Sequence, residues 1–214
     1  METLTLTTED GAKISGVFYP ASGERYALLL HMMPATKESW LSFIDGLNAL
    51  GINALAIDLR GHGESSGGPS GYLEFTDTQH QSTVFDVRSA WFYLASKGAL
   101  ADRTVVVGAS IGANLAIEHL AEHETIKACV ALSPGLNYHG IQADINIVHL
   151  AEDQRVLLVA SDEDEYSAKS IDQLHQLSPA NTEKIEVKGL GHGTVMLRSS
   201  WLFDQILKWI DDRI

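Results

Sequence analysis

Thr104-Val105-Val106-Val107-Gly108-Ala109-Ser110-Ile111-Gly112-Ala113-Asn114-Leu115-Ala116 is the stretch that decides the fold. A run of β-branched residues passes through Gly-x-Ser-x-Gly into a segment of small, helix-compatible residues. A strand that turns into a helix this abruptly forces the serine into a strained conformation, and side chains on its flanks would collide. The turn presents Ser110 Oγ at a helix N-terminus, where the Ile111 N–H and the helix dipole favour developing negative charge. The pentapeptide alone is a weak signal. Its strand-to-helix setting is what makes Ser110 a candidate nucleophile and the Ile111 amide a candidate oxyanion donor.

Outward from this turn, strand and helix patterns alternate. Residues 4–6 and 14–19 read as an antiparallel pair around the turn Glu9-Asp10-Gly11. Residues 26–31 form a continuous apolar run, as a strand covered on both faces requires. Residues 38–50 place Trp40, Phe43, Ile44, Leu47 and Leu50 at helical spacing, and Gly51 closes the segment. A buried strand over 52–57 leads into a polar, glycine-rich loop over 58–71. Residues 79–97 read as one longer helix with Val84, Val87, Trp91 and Leu94 along a stripe. Strand, helix and strand follow over 104–107, 112–122 and 127–132. The pattern continues with strands over 156–160 and 182–187, each followed by a helix (168–177, 199–214).

Eight strands interleaved with helices imply an α/β fold: a three-layer α/β/α sandwich around a mostly parallel eight-stranded sheet. No internal repeat or low-complexity linker divides the chain, so a single domain over 1–214 is expected. The segment 134–155 is long enough for a loop and a short helix, but too short for a substantial helical cap.

The bulk properties set limits. With 214 residues, 45% hydrophobic and 20% charged, the chain fits one globular domain that buries a two-sided core without disulfides. A net charge of −13 argues against a nucleic-acid partner and against an anionic membrane surface. Cys129 is the only cysteine, so no intramolecular disulfide forms. The segment Met1–Asp10 lacks the basic and apolar regions of a secretory signal, and no apolar run approaches a membrane span. The expectation is cytoplasmic, without membrane insertion; a homo-oligomer is left open.

A serine hydroxyl is too weakly acidic to attack unaided, so an imidazole must take its proton. Nine histidines are present. His192 stands in Gly191-His192-Gly193, after the last strand and before the last helix. Loops at the carboxyl ends of parallel strands gather at one edge of the sheet, so this loop can meet the serine turn. His192 is the candidate base.

Three motifs together resemble the α/β-hydrolase superfamily, in particular small serine esterases and dienelactone-hydrolase-like members. They are Gly108-Ala109-Ser110-Ile111-Gly112, Asp58-Leu59-Arg60-Gly61-His62-Gly63-Glu64-Ser65, and Gly191-His192-Gly193, in the family's order. The resemblance implies a Ser–acid–His arrangement of Ser110, Asp164 and His192. Asp164 follows because the family's acid lies in a Gly-x-x-Asp turn past the preceding strand, with Ser161 here in the glycine position. Asp162 stays open as the alternative, and the other acidic side chains of 162–165 read as a solvated, helix-starting cluster. The resemblance also implies that His31 shapes the oxyanion loop, that His62 organises its own turn, and that Met33 supplies the second oxyanion N–H. Met32 departs from the family's usual glycine.

Other chemistries are less well supported. Asp58, His62 and Glu64 lack zinc-like ligand spacing, so no metal is expected, and no phosphate-binding glycine motif is present. Cys129 lies within a strand and reads as core, which separates the chain from relatives with a cysteine at the nucleophile turn. The resemblance implies a serine carboxylesterase needing no cofactor and acting on small or short-chain esters. Thioesterase, amidase or peptidase activity on the same triad, or a non-catalytic ligand-binding homologue, are the alternatives.

Overall fold

The computed structural model describes residues 1–214. Ten strands and seven α-helices follow in the order β1 (Glu2–Thr7), β2 (Lys13–Tyr19), β3 (Arg25–Leu30), α1 (Leu41–Ala49), β4 (Ile52–Ile57), α2 (Asp77–Gln81), α3 (Val84–Ser96), β5 (Thr104–Ala109), α4 (Ile111–Glu122), β6 (Ala128–Leu132), β7 (Asn137–Tyr138), β8 (Ile141–Gln142), α5 (Ala143–Asn146), β9 (Arg155–Ser161), α6 (Glu165–Leu177), β10 (Thr182–Val187) and α7 (Ser200–Asp211). Eight strands form one sheet in the order β1-β2-β4-β3-β5-β6-β9-β10. Only β2 runs against its neighbours; the other pairs are parallel.

The central strands are apolar at every position because both faces are covered. In β5, Val106 enters one core with Val87, Leu94, Leu115 and Ile171, which come from α3, α4 and α6. Its neighbours Val105 and Val107 enter the opposite core with Phe43, Leu47, Ile206 and Ile210, from α1 and α7. Period-two alternation along each strand thus feeds two separate layers of helix packing. The expected three-layer sandwich is what the chain forms, and no helix is long and apolar enough to cross a membrane.

The helix expected over 79–97 differs, because it is broken in two. Ser82 Oγ donates to the Thr78 carbonyl (3.0 Å) and Thr83 Oγ1 to the His80 carbonyl (2.6 Å). These side chains compete with the backbone for the same acceptors, which shortens α2 and restarts the chain as α3. The helix expected over 38–50 opens with a 3₁₀ turn, Lys37–Trp40, before α1. Segment 134–155 holds the hairpin β7–β8 and the four-residue α5, with little bulk over the sheet.

The strand order fixes where a site can form. The chain leaves β3 toward β4 on one side and returns to β5 on the other, so connections diverge at the carboxyl ends of β3 and β5. Such a switch point leaves a crevice.

Candidate active site

Ser110 stands between β5 and α4 with φ 55° and ψ −121°, a left-handed conformation that non-glycine residues rarely adopt. The backbone holds it there. Ser110 N–H donates to the Leu132 carbonyl (2.8 Å), and its own carbonyl accepts from Ala113 N–H (2.8 Å). Both glycines of the turn are sterically required. A Cβ on Gly108 would lie 2.0 Å from the Gly112 carbonyl oxygen, and one on Gly112 would lie 2.4 Å from that of Leu30.

The imidazole and the acid meet directly. His192 Nδ1 lies 2.6 Å from Asp164 Oδ2. Asp164 also caps α6, its Oδ1 accepting from Ser167 N–H (3.4 Å). Burial alone would raise the Asp164 pKa. Hydrogen bonds from Ser167 and His192 outweigh it and hold the carboxyl below the usual range. The ring contributes no hydrogen bond to Ser110 Oγ in this conformation; its one side-chain partner is Asp164.

The loop carrying His192 is anchored amide by amide. Gly189 N–H donates to Asp162 Oδ1 (3.0 Å), Leu190 N–H to Ser161 Oγ (3.0 Å) and Gly191 N–H to Glu163 Oε1 (3.1 Å). Gly193 N–H donates to Ser133 Oγ (2.9 Å), and Ser133 is fully buried at the end of β6 with φ 51°. Asp162 and Glu163 are exposed to solvent, and each carboxylate in addition accepts one amide of the histidine loop. Sequence reasoning missed Ser133 altogether; its position directly after a central strand was the only available signal. Gly193 lies against the serine turn, where a Cβ would meet Ala109 Cβ at 3.4 Å.

The loop after β3 is oriented by His31. Its Nε2 accepts from Leu59 N–H (2.9 Å), so Nδ1 carries the proton and donates to the Met32 carbonyl (2.9 Å). Burial, with the charge of His62, pushes the His31 pKa down to about 4, consistent with a neutral ring. The Met32 carbonyl also accepts from Ala35 N–H (2.8 Å). In a trans peptide C=O and N–H point in opposite directions, so fixing that carbonyl turns Met33 N–H away from His31. Met33 N–H donates to no backbone acceptor. Ile111, as the first residue of α4, has no acceptor within its own helix.

The loop after β4 supports this arrangement from behind. Buried Asp58 accepts from Lys37 N–H (2.8 Å), Lys37 Nζ (2.7 Å) and Glu64 N–H (3.0 Å). His62 Nδ1 lies 3.1 Å from the Arg60 carbonyl, and the ring stacks on Tyr72. Neither Asp58 nor His62 reaches the Asp164–His192 pair by hydrogen bond; both serve their own turn. Cys129 is buried in β6, and burial pushes its thiol pKa well above the ordinary value.

Two cavities flank Met32 and Met33. One of about 220 Å³ is lined by Met33, Tyr72, Leu73, Phe75, His80 and His139. Another of about 590 Å³ is bordered by Met32, Thr194 and Leu197. Over the site, Tyr138 from β7 lies with its hydroxyl 3.4 Å from Ser167 Oγ and close to Ser110; burial raises its pKa.

The family described as Serine aminopeptidase, S33 matches residues 26–159 of the chain. No curated protein matches the sequence. Among solved structures, the chain is similar to an esterase of Pyrococcus furiosus, Pf2001, with TM-score 0.82, 19% identity, and coverage of 99% of this chain and 92% of that one. It is also similar to Est1E of Butyrivibrio proteoclasticus, described with ferulic acid bound, with TM-score 0.79, 15% identity, and coverage of 98% of both chains. A dienelactone hydrolase of Anabaena variabilis aligns with TM-score 0.75 and 15% identity over 99% of this chain and 95% of that one. At these identities the likeness concerns the fold.

Proposed function

The chain belongs to the serine aminopeptidase S33 family of α/β hydrolases, and from that premise we propose that it is a serine carboxylesterase with Ser110 as nucleophile, His192 as general base and Asp164 behind it. The observation that carries this reading is the 2.6 Å contact between His192 Nδ1 and Asp164 Oδ2, beside a serine held at φ 55°. With Nδ1 bonded to a carboxylate, the ring keeps Nε2 free to accept a proton, and the imidazolium that forms is stabilised. Contacts between such a serine and its base are often loose before substrate binds.

In the proposed reaction Ser110 Oγ attacks the ester carbonyl while His192 Nε2 takes its proton. The Met33 and Ile111 amides hold the oxyanion; losing one such donor costs about 3 kcal/mol of transition-state stabilisation. His192 then protonates the departing alkoxide. Water repeats the steps on the acyl-enzyme, releasing the acid and restoring Ser110. No cofactor enters this sequence.

The cavity beside Met33 supports a small apolar or aryl ester group. Tyr72, Leu73 and Phe75 line it, and burial holds the pKa of His80 down at about 4, so the His80 ring is neutral at pH 7. The Butyrivibrio relative is described with an aromatic acid bound, which agrees with this reading.

The test is labelling with a fluorophosphonate, alongside turnover of p-nitrophenyl acetate and butyrate. Labelling is expected in the parent protein and absent in Ser110→Ala. Turnover is expected to fall ~10³-fold or more in Ser110→Ala and in His192→Ala. A folded protein that takes no label would instead be a ligand-binding member of the family. A thioester and an aminoacyl anilide in the same panel separate esterase from thioesterase and peptidase.

A further inference from the structure

We propose that His119, Glu122 and His123, at the far end of α4 from the nucleophile turn, form a binding site for one divalent transition-metal ion of the zinc class. The three side chains lie at i, i+3 and i+4, which places them on one face of the helix. Their candidate ligand atoms all lie within 4.8 Å of one another. A tetrahedral zinc with bonds of ~2.0–2.1 Å needs ligand atoms about 3.4 Å apart, so modest side-chain rotations close the set.

His119 points to a ligand. It is 1% exposed, and neither ring nitrogen has a hydrogen-bond partner. A buried imidazole with both nitrogens unsatisfied is costly, and an apolar side chain would fill the same space without that cost. Coordination supplies a partner for one of the two nitrogens. His123 is already arranged as metal-binding histidines usually are. Its Nδ1 lies 3.0 Å from the His119 carbonyl, which fixes the tautomer and leaves Nε2 with a free lone pair. The two rings lie 4.2 Å apart between centroids.

The surroundings complete the site. Arg88 of α3 donates to both carboxylate oxygens of Glu122, at 3.2 Å from Nε and 2.5 Å from Nη2, and so orients a ligand that keeps lone pairs for an ion. Arg88 is the one cation against the site. Glu118, one helical turn before Glu122, places a second carboxyl on the same side of the helix. Trp91 closes the inner side, 6.2 Å from the His119 ring and 6.3 Å from His123. Glu122 is exposed and His123 half-buried, so an ion can enter from solvent. Two imidazoles with one carboxylate favour zinc, nickel or copper over magnesium or calcium. His119 lies nine residues along α4 from Ser110, about 14 Å, which separates the site from the proposed chemistry.

The experiment is calorimetric titration of chelator-stripped protein with Zn²⁺, in parent and variants, with thermal melts in the presence and absence of the ion. Expected are one ion per chain, a melting temperature that rises with Zn²⁺, and affinity reduced at least about tenfold in His123→Ala and in His119→Leu. His192→Ala should leave binding intact. The absence of binding, equal affinity in His123→Ala, or loss only in His192→Ala overturns the proposal. Should His119→Leu not fold, His123→Ala, on the half-exposed outer side, decides alone. Binding is the readout, so failure here leaves the esterase reading untouched.

Discussion

At the scale of single residues, the site separates two carboxylates that sequence alone left in competition. Asp164 contacts the imidazole, whereas Asp162 accepts a backbone N–H from Gly189. Asn in place of Asp164 offers the ring no charge and permits the wrong tautomer, and the expected loss in kcat is ~10³-fold or more. Asn in place of Asp162 keeps a carbonyl acceptor for Gly189, so its loss should stay within about tenfold. Comparing kcat of Asp164→Asn and Asp162→Asn on one p-nitrophenyl ester checks this, and the opposite ranking moves the acid to Asp162. The difference was invisible in the string Ser161-Asp162-Glu163-Asp164, because the partners that tell the two carboxylates apart, Gly189 and His192, lie beyond β10.

Among elements, the strand-to-helix turn was the most legible, since its glycines answer a local steric demand. Gly112 allows a sharp test. Ala is favoured over Gly within a helix by about 1 kcal/mol. Against this, the added Cβ would sit 2.4 Å from the Leu30 carbonyl oxygen and 2.6 Å from that of His31. Backbone overlap of this kind cannot be relieved by a rotamer change, and overpacking costs roughly 1–3 kcal/mol or more. Sterics win, so Gly112→Ala should lower Tm; a raised Tm contradicts the packing of α4 on β3. The strands were equally readable, and 52–57 and 182–187 agree with β4 and β10 at both ends. The break between α2 and α3 was not. Hydrophobic spacing continues across Ser82 and Thr83, while the break depends on which carbonyls their hydroxyls choose. The anchoring of Gly193 by Ser133 escaped for a similar reason, joining positions sixty residues apart.

Across the whole molecule, buried neutral histidines tie stability to pH. The folded pKa values of His31 and His80 are depressed to about 4 by burial, below the ordinary imidazole value of 6.5. Protonation therefore favours the unfolded chain. The stabilisation is fully present above about pH 6.5 and is lost as pH falls toward 4, at up to about 1.4 kcal/mol per pH unit for each group. Thermal melts should show Tm falling between pH 7 and pH 4.5, and an unchanged Tm contradicts the assignment. The sheet order carries a further consequence. β10, whose following loop supplies His192, is an outermost strand paired to β9 alone, whereas the serine rides on β5 in the interior. Strands with one neighbour fray first. Under mild denaturant the proposed catalysis should therefore fall silent while far-UV ellipticity still reports an intact centre, because the proton acceptor is lost from the rim before the nucleophile loses its seat.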